Sequence, residues 1–392
     1  MYSKIDKSFS LFKGAKQQMK KRYDELTGAS NFLYTSSLFI LLNIFVQKLN
    51  QYSVLKKYKF LPGLLLIAAA CNDAKTAPDD KAAVKDSATA AAAVPDTSHI
   101  LDTMAYNKIN SNISNNDTTG RWPVNAPYPV AGAVLPFNRI IAFYGNLYSK
   151  RMGILGEIPK YEMLKKLQGE VAKWQAADSS IPVIPALHYV AVTAQGAPGA
   201  DGKYRYRMPG HQIDSIVTWA REIKALSFLD IQVGHSNVKD ELPPMEKYLS
   251  MPDVHLGIDP EFSMKFGDRP GKRIGTFSAD DINIAIDYLA AVVKKNNLPP
   301  KILVIHRFTQ GMVTGYANIK KLPEVQVVMD MDGWGDKILK RSTYLRYIYK
   351  EPVMFTGFKL FYKNDTKTGA DQLYTPEELL RFTPKPIYIQ YQ

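Results

Sequence analysis

Cysteine is almost absent from this 392-residue chain: Cys71 is the only one. A single thiol excludes an intramolecular disulfide and any zinc site built from several thiolates. There is no glycine-rich strand-to-helix turn of the dinucleotide type, which argues against an open, cofactor-binding doubly wound sheet. No H-x-H or H-E-x-x-H spacing occurs, so no metal and no cofactor is read from the sequence. What is present is ordinary globular composition, with 46% hydrophobic and 22% charged residues. That excludes a wholly disordered or fibrous protein. The net charge of +13 is unevenly spread, because residues 1–70 carry 11 basic and 3 acidic side chains. The folded part is far less basic, so no nucleic-acid partner is expected.

The N-terminal region reads as an address. Phe60 to Ala70 is an apolar run of eleven residues, preceded by Lys56, Lys57 and Lys59 and followed by Cys71. A basic stretch, a short apolar core and small residues before a cut mark a secretory signal. The run is too short to span a bilayer comfortably. Ala69-Ala70-Cys71 resembles a bacterial lipobox, which implies lipidation of Cys71 and a membrane as partner. The alternative is a buried apolar helix with a chance cysteine. Residues 54–71 are therefore expected to be a lipoprotein signal. Residues 1–53 are expected to reflect a start called too early; the alternative is a membrane segment at 31–46. Residues 72–119, rich in Ala, Asp and Lys and then in Ser and Asn, are expected to be a flexible tether. The expected location is the bacterial cell envelope, facing the periplasm or the exterior.

From 120 to 392 strand and helix alternate. Apolar runs at 139–145, 182–192, 227–235, 253–262, 301–308, 324–332, 352–362 and 386–391 read as strands covered on both faces. Helical patterns lie between them at 160–177, 212–226, 238–249, 279–296, 312–321, 337–349 and 376–382. Ser278 with Asp281 reads as a capping box for the fourth. Eight strands with seven helices predict an α/β fold, a parallel (β/α)8 barrel of the TIM type. Residues 120–138 are expected to stand in for a helix after the eighth strand.

Chemistry in such barrels sits at the C-terminal ends of the strands. Asp259-Pro260-Glu261 ends strand four, with both carboxylates expected on one strand face. Two carboxylates there can divide acid and base roles if one is held protonated; the alternative is a pair of solvated loop acids. Asp330 and Asp332 on strand six are further candidate acids. Tyr144, His188, Gln232, His306, Gln310, Trp334, Lys359 and Gln390 are candidate substrate contacts. Lys359 with Asp332 or Glu261 is an expected ion pair. The loop 194–208, with Tyr204, Arg205, Tyr206 and Arg207, suits sugar stacking and anion binding, or is simply an exposed basic edge. The loop 265–276 is similar.

The Asp259-x-Glu261 ending resembles the close of the family 18 chitinase-type signature, Asp-x-x-Asp-x-Asp-x-Glu. That resemblance implies Glu261 as general acid and Asp259 as the group that positions the substrate. Val254 and Gly257 stand where the signature has its other two aspartates. Strand seven gives Lys359 where a two-glutamate retaining enzyme has its second glutamate. The segments YGNLYSKRMGILGE, GIDPEF, VIHRFTQGMV, MDMDGWG, GFKLFYKND and KPIYIQYQ resemble an uncharacterised family of bacterial lipoproteins, over nearly all of 136–392. The resemblance implies anchoring and boundaries, not a reaction.

Three functions remain open. The first is a carbohydrate-active hydrolase with Glu261 as acid. The second is a metal-dependent hydrolase or isomerase using His188, His235 and His306. The third is a non-catalytic glycan-binding or envelope lipoprotein on the same barrel.

Overall fold

The computed structural model describes residues 101–367 and 372–392. These belong to the second of the chain's two compact units. Cys71, the proposed signal at 54–71, residues 1–53 and the tether at 72–100 lie outside the described residues. Among the described residues no helix is long and apolar enough to cross a membrane.

Eight parallel strands form the centre. They are β1 (Arg139–Gly145), β2 (Val183–Ala194), β3 (Leu226–Ile231), β4 (Val254–Ile258), β5 (Lys301–Arg307), β6 (Val325–Met331), β7 (Phe355–Leu360) and β8 (Tyr388–Tyr391). Each pairs with its sequence neighbours, and β1 pairs with both β2 and β8, so the sheet closes. The fold is the (β/α)8 barrel expected. Every residue of β1, β4, β5, β6, β7 and β8 is buried. Burial on both faces explains why these strands read as continuous apolar runs rather than as alternation.

The helices cover the outside. Helix α1 (Thr103–Ile113) precedes the barrel, and α2 (Lys160–Ala177) follows β1. On α2, Met163, Leu164, Leu167 and Trp174 recur at helical spacing and face inward. The Trp174 indole N–H donates to the Tyr391 hydroxyl at 3.0 Å, so α2 also covers β8. Helix α3 is Gly210–Glu222, and α4 is Ala279–Asn296. The capping box on α4 is present in both directions between Ser278 and Asp281. Asn297 ends α4 in the left-handed region, φ 48°, two residues before Pro299. Helix α5 (Lys337–Thr343) passes into a π turn, Tyr344–Tyr349.

Four expectations need correction. The tether does not run to residue 119: Thr103–Ile113 is helical, with an Asp102 cap and with Tyr106 and Ile113 buried. Its Ile113 carbonyl accepts from Lys385 N at 2.7 Å, which fixes it to the start of β8. Residues 120–138 do not replace a missing outer helix. Leu135 is fully buried and exchanges two hydrogen bonds with the Gln326 side chain, and Val130 N donates to Pro323 O. They strap the lower end of β6. The helix expected at 312–321 is absent. Gly315 takes φ 71°, and Val313–Thr314 pairs with Phe277–Ser278 as a two-residue ladder. The run at 238–249 is helical only in pieces, Val238–Glu241 and Glu246–Leu249. Pro243 and Pro244 cannot continue an α-helix, and a 3-10 turn replaces it there.

Candidate active site at the barrel mouth

Alternation along the strands points one face of each into the barrel. All eight strands, or the residues that continue them, place a polar side chain there. They are Tyr144, His188, Asp230 with Gln232, Asp259, His306, Asp330 with Asp332, Lys359, and Tyr388 with Gln390. Each is less than a tenth exposed. Buried polar groups are costly unless paired, so this concentration needs a reason.

The upper groups open into a pocket of about 680 Å³ at the C-terminal ends of the strands. Tyr144, Gln232, Asp259, Glu261, Asp332 and Lys359 form its polar floor. Phe262, Phe308, Trp334 and Phe361 line it with aromatic surface. Trp334 is 56% exposed, as a sugar platform at a rim would be. Among the candidates, Glu261, Asp259, Asp332, Tyr144, Gln232, Trp334 and Lys359 meet at this pocket.

Asp259 is held on both oxygens. Its Oδ1 accepts from Glu261 N at 3.0 Å, and its Oδ2 from Gln232 Nε2 at 3.2 Å. Burial holds its carboxyl well above the ordinary range. Glu261 does not share the strand face of Asp259 as expected. The strand ends at Ile258, and Pro260–Phe262 is a 3-10 turn that redirects Glu261 while keeping it in the pocket. Burial, then the neighbouring charge of Asp332, pushes Glu261 up to about 7. Asp332 behaves oppositely. Burial alone would raise it, but Lys359 and His306 outweigh burial and hold it below the ordinary value. Lys359 Nζ lies 3.0 Å from Asp332 Oδ1 and 3.7 Å from the centre of the Tyr144 ring. The expected ion pair is therefore with Asp332.

One layer down, inside the barrel, lie His188, Asp230, His306, Asp330 and Gln390. His188 is flat against Phe228, centroids 5.3 Å apart. Its Nδ1 meets the Tyr388 hydroxyl at 2.7 Å, and Gln390 Nε2 donates to that hydroxyl at 2.9 Å. Burial lowers His188 to about 4, so its ring is neutral. Burial also opposes charge on His306, but Asp230 and then Asp330 and Asp332 outweigh it and raise the imidazole well above its ordinary value. His306 Nδ1 faces Asp332 at 3.1 Å and Asp330 at 3.4 Å. Asp330 and Gln390 support the floor from within instead of lining the pocket.

Four readings are corrected. Gln310 is exposed on a 3-10 turn beyond the end of β5, outside the pocket, and its side chain reaches Glu351. His235 lies among the loops, its Nε2 at 2.8 Å from the Asp268 carbonyl, away from His188 and His306. Arg205 and Arg207 are not free for anions: both clamp the buried Glu241, at 2.8 and 2.7 Å. In the loop after β4, Arg269 donates to the Gly196 carbonyl, which ties that loop to the loop after β2.

Three residues that matter here escaped the sequence reading. Tyr388 shares a strand face with Gln390, and that spacing was a usable signal. Lys340 is 2% exposed and donates to Gly333 O, Lys359 O and Asp365 Oδ2, all at 2.8 Å. A helical lysine is normally solvated, so nothing local announces it. Gly257 adjoins His188 and Asp230 so closely that an added Cβ would lie 2.5 Å from His188 Nε2 and 2.6 Å from Asp230 Oδ1. The chitinase-type signature has an aspartate at that position, and none fits here.

No protein-family model matches the chain, and no curated protein does. Solved barrels are similar at low scores. A GH5 xyloglucan-specific endo-β-1,4-glucanase from a metagenomic library, in complex with cellotriose, aligns at 9% identity and TM-score 0.31, over 58% of this chain and 77% of its own. A dihydropteroate synthase of Burkholderia cenocepacia aligns at 9% and 0.30, over 68% and 91%. A sugar phosphate isomerase/epimerase of Parabacteroides distasonis aligns at 12% and 0.29, over 69% and 90%. The closed strand pairing establishes the barrel by itself; likeness at this level decides nothing about chemistry.

Proposed function

We propose that the chain is a membrane-anchored extracytoplasmic lipoprotein whose barrel cleaves a glycosidic bond, with Glu261 as general acid. The observation that carries this reading is the pocket itself: three carboxylates on its floor beneath a rim with an exposed tryptophan. Aromatic faces pack against the C–H faces of sugar rings, and carboxylates do the acid and base work of glycoside hydrolysis. Glu261, pushed up to about 7, keeps a protonated fraction near neutral pH and gives its proton to the leaving-group oxygen. Water adds its oxygen to the anomeric carbon as that bond breaks, and its proton passes to a facing carboxylate. Asp332, oriented by Lys359 and held below the ordinary carboxylate value, takes that role. Asp259 is locked by Gln232 and the Glu261 backbone and orients substrate. Lipidation at Cys71 and an envelope location rest on the sequence pattern alone.

The test uses the full chain, as wild type and as Glu261→Gln, on bacterial envelope and environmental glycans, N-acetylated ones included. Cleavage by the wild type with binding but ~10²–10⁴-fold less turnover in the variant supports the reading. Cleavage that survives unchanged in Glu261→Gln removes Glu261 from the mechanism. Binding without cleavage by either protein makes the barrel a lectin.

A further inference from the structure

The barrel interior below the pocket holds a second constellation. His188 Nε2 lies 3.7 Å from Asp230 Oδ1, and His306 Nε2 lies 3.6 Å from the same oxygen. The three donor atoms all fall within 4.8 Å of one another, on fully buried side chains. None of the three has a hydrogen-bond partner among the described residues. Unpaired buried polar atoms are rare in folded proteins, and three facing one point are not explained by packing.

The other end of each side chain faces a polar neighbour. The Tyr388 hydroxyl holds His188 Nδ1, and Asp332 and Asp330 face His306 Nδ1. The Tyr144 hydroxyl donates to Asp230 Oδ2 at 3.3 Å. Outer partners that orient a ligand and leave its inner atom free are the mark of a metal site, the carboxylate–histidine pairing above all. Space is kept open as well. Gly257 has no left-handed backbone that would demand glycine, yet any side chain there would strike both His188 Nε2 and Asp230 Oδ1. Four buried aspartates and Glu261 gather at and below the floor, where Lys359 is paired with Asp332 and Lys340 with Asp365.

We propose that His188, Asp230 and His306 bind a divalent transition-metal ion inside the barrel, in the space that Gly257 leaves open. Two imidazoles and a carboxylate suit a borderline cation such as zinc, manganese or cobalt. Metal bonds of about 2.0–2.1 Å place tetrahedral donors roughly 3.3–3.5 Å apart, so each histidine needs to close on Asp230 by only a few tenths of an ångström. The site stands independently of the glycan reading, because its ligands lie beneath the carboxylates assigned to glycan cleavage.

The test needs no glycan. The full chain is stripped with chelator, offered zinc, manganese or cobalt chloride alone, desalted and assayed for bound metal. Cobalt absorption reports the ligand set. One equivalent on the wild type is expected, with affinity reduced at least 100-fold in Gly257→Ala and His188→Gln. Tyr388→Phe, which removes only an outer hydroxyl, is expected to weaken binding about 10-fold. It keeps the test decisive if Gly257→Ala does not fold. Absence of all three metals from folded wild type overturns the proposal. So does one full equivalent retained by folded His188→Gln with unchanged cobalt absorption.

Discussion

At the scale of single residues, the site works by setting like groups apart. Glu261 and Asp332 are both carboxylates of one pocket, yet one is pushed up to about 7 and the other held low. The difference comes from Lys359, which lies against Asp332. This split has a stability consequence. Glu261 has a folded value above its ordinary 4.5, so its neutral form favours folding below about 4.5. That advantage disappears as pH rises through about 7. Glutamine has no charge to bury. Glu261→Gln is therefore expected to match wild type near pH 4 and to be more stable above pH 7, by about 3 kcal/mol at most. Denaturant melts at pH 4.5, 6 and 8 read this directly. A constant difference across the series would show that Glu261 does not titrate in this range. These carboxylates were legible because their spacing put them at strand ends. The turn that separates Glu261 from the strand face was not, since it depends on where pairing with β5 stops. Gly257 was opaque for another reason: its role is visible only from across the barrel.

At the scale of elements, the strands were the easiest part to read. Burial on both faces makes continuous apolar runs, and eight such runs were distinct. Helices with a capping signal or a long inward stripe were equally plain, and α2 and α4 begin and end where the pattern places them. The failures share a cause. Residues 312–321 have apolar positions but a left-handed Gly315, and residues 238–249 contain a proline pair. Helix α1 was hidden because its polar sequence is held by a cap and by contacts with distant β8, which no local pattern records. Lys340 on α5 joins the loop after β6, the end of β7 and Asp365. Its removal leaves the Asp365 carboxylate buried without its cation. Lys340→Ala is expected to destabilise the protein by roughly 3–5 kcal/mol, and adding Asp365→Ala is expected to recover part of that. Additive losses in the double variant, measured by thermal melts, would mean that the two residues act separately.

At the scale of the whole molecule, the proposed function gives the basic N-terminal region the address and the barrel the chemistry. Metabolic labelling with a fatty-acid probe is expected to mark the wild type in the membrane fraction. Cys71→Ser is expected to lose the label and the membrane association together. An unlabelled wild type in the soluble fraction would remove the anchor and, with it, the envelope location.

The tie between Arg269 and the Gly196 carbonyl acts at this scale too. The loops after β2 and β4 form one rigid jamb of the entrance, because neither can swing without dragging the other. The facing side carries Trp334 and Leu339, both more than half exposed, and is not fastened to that jamb by any such clasp among the described residues. For the proposed glycan, the tied side of the entrance is the fixed edge, and the side of Trp334 is the one left to adapt.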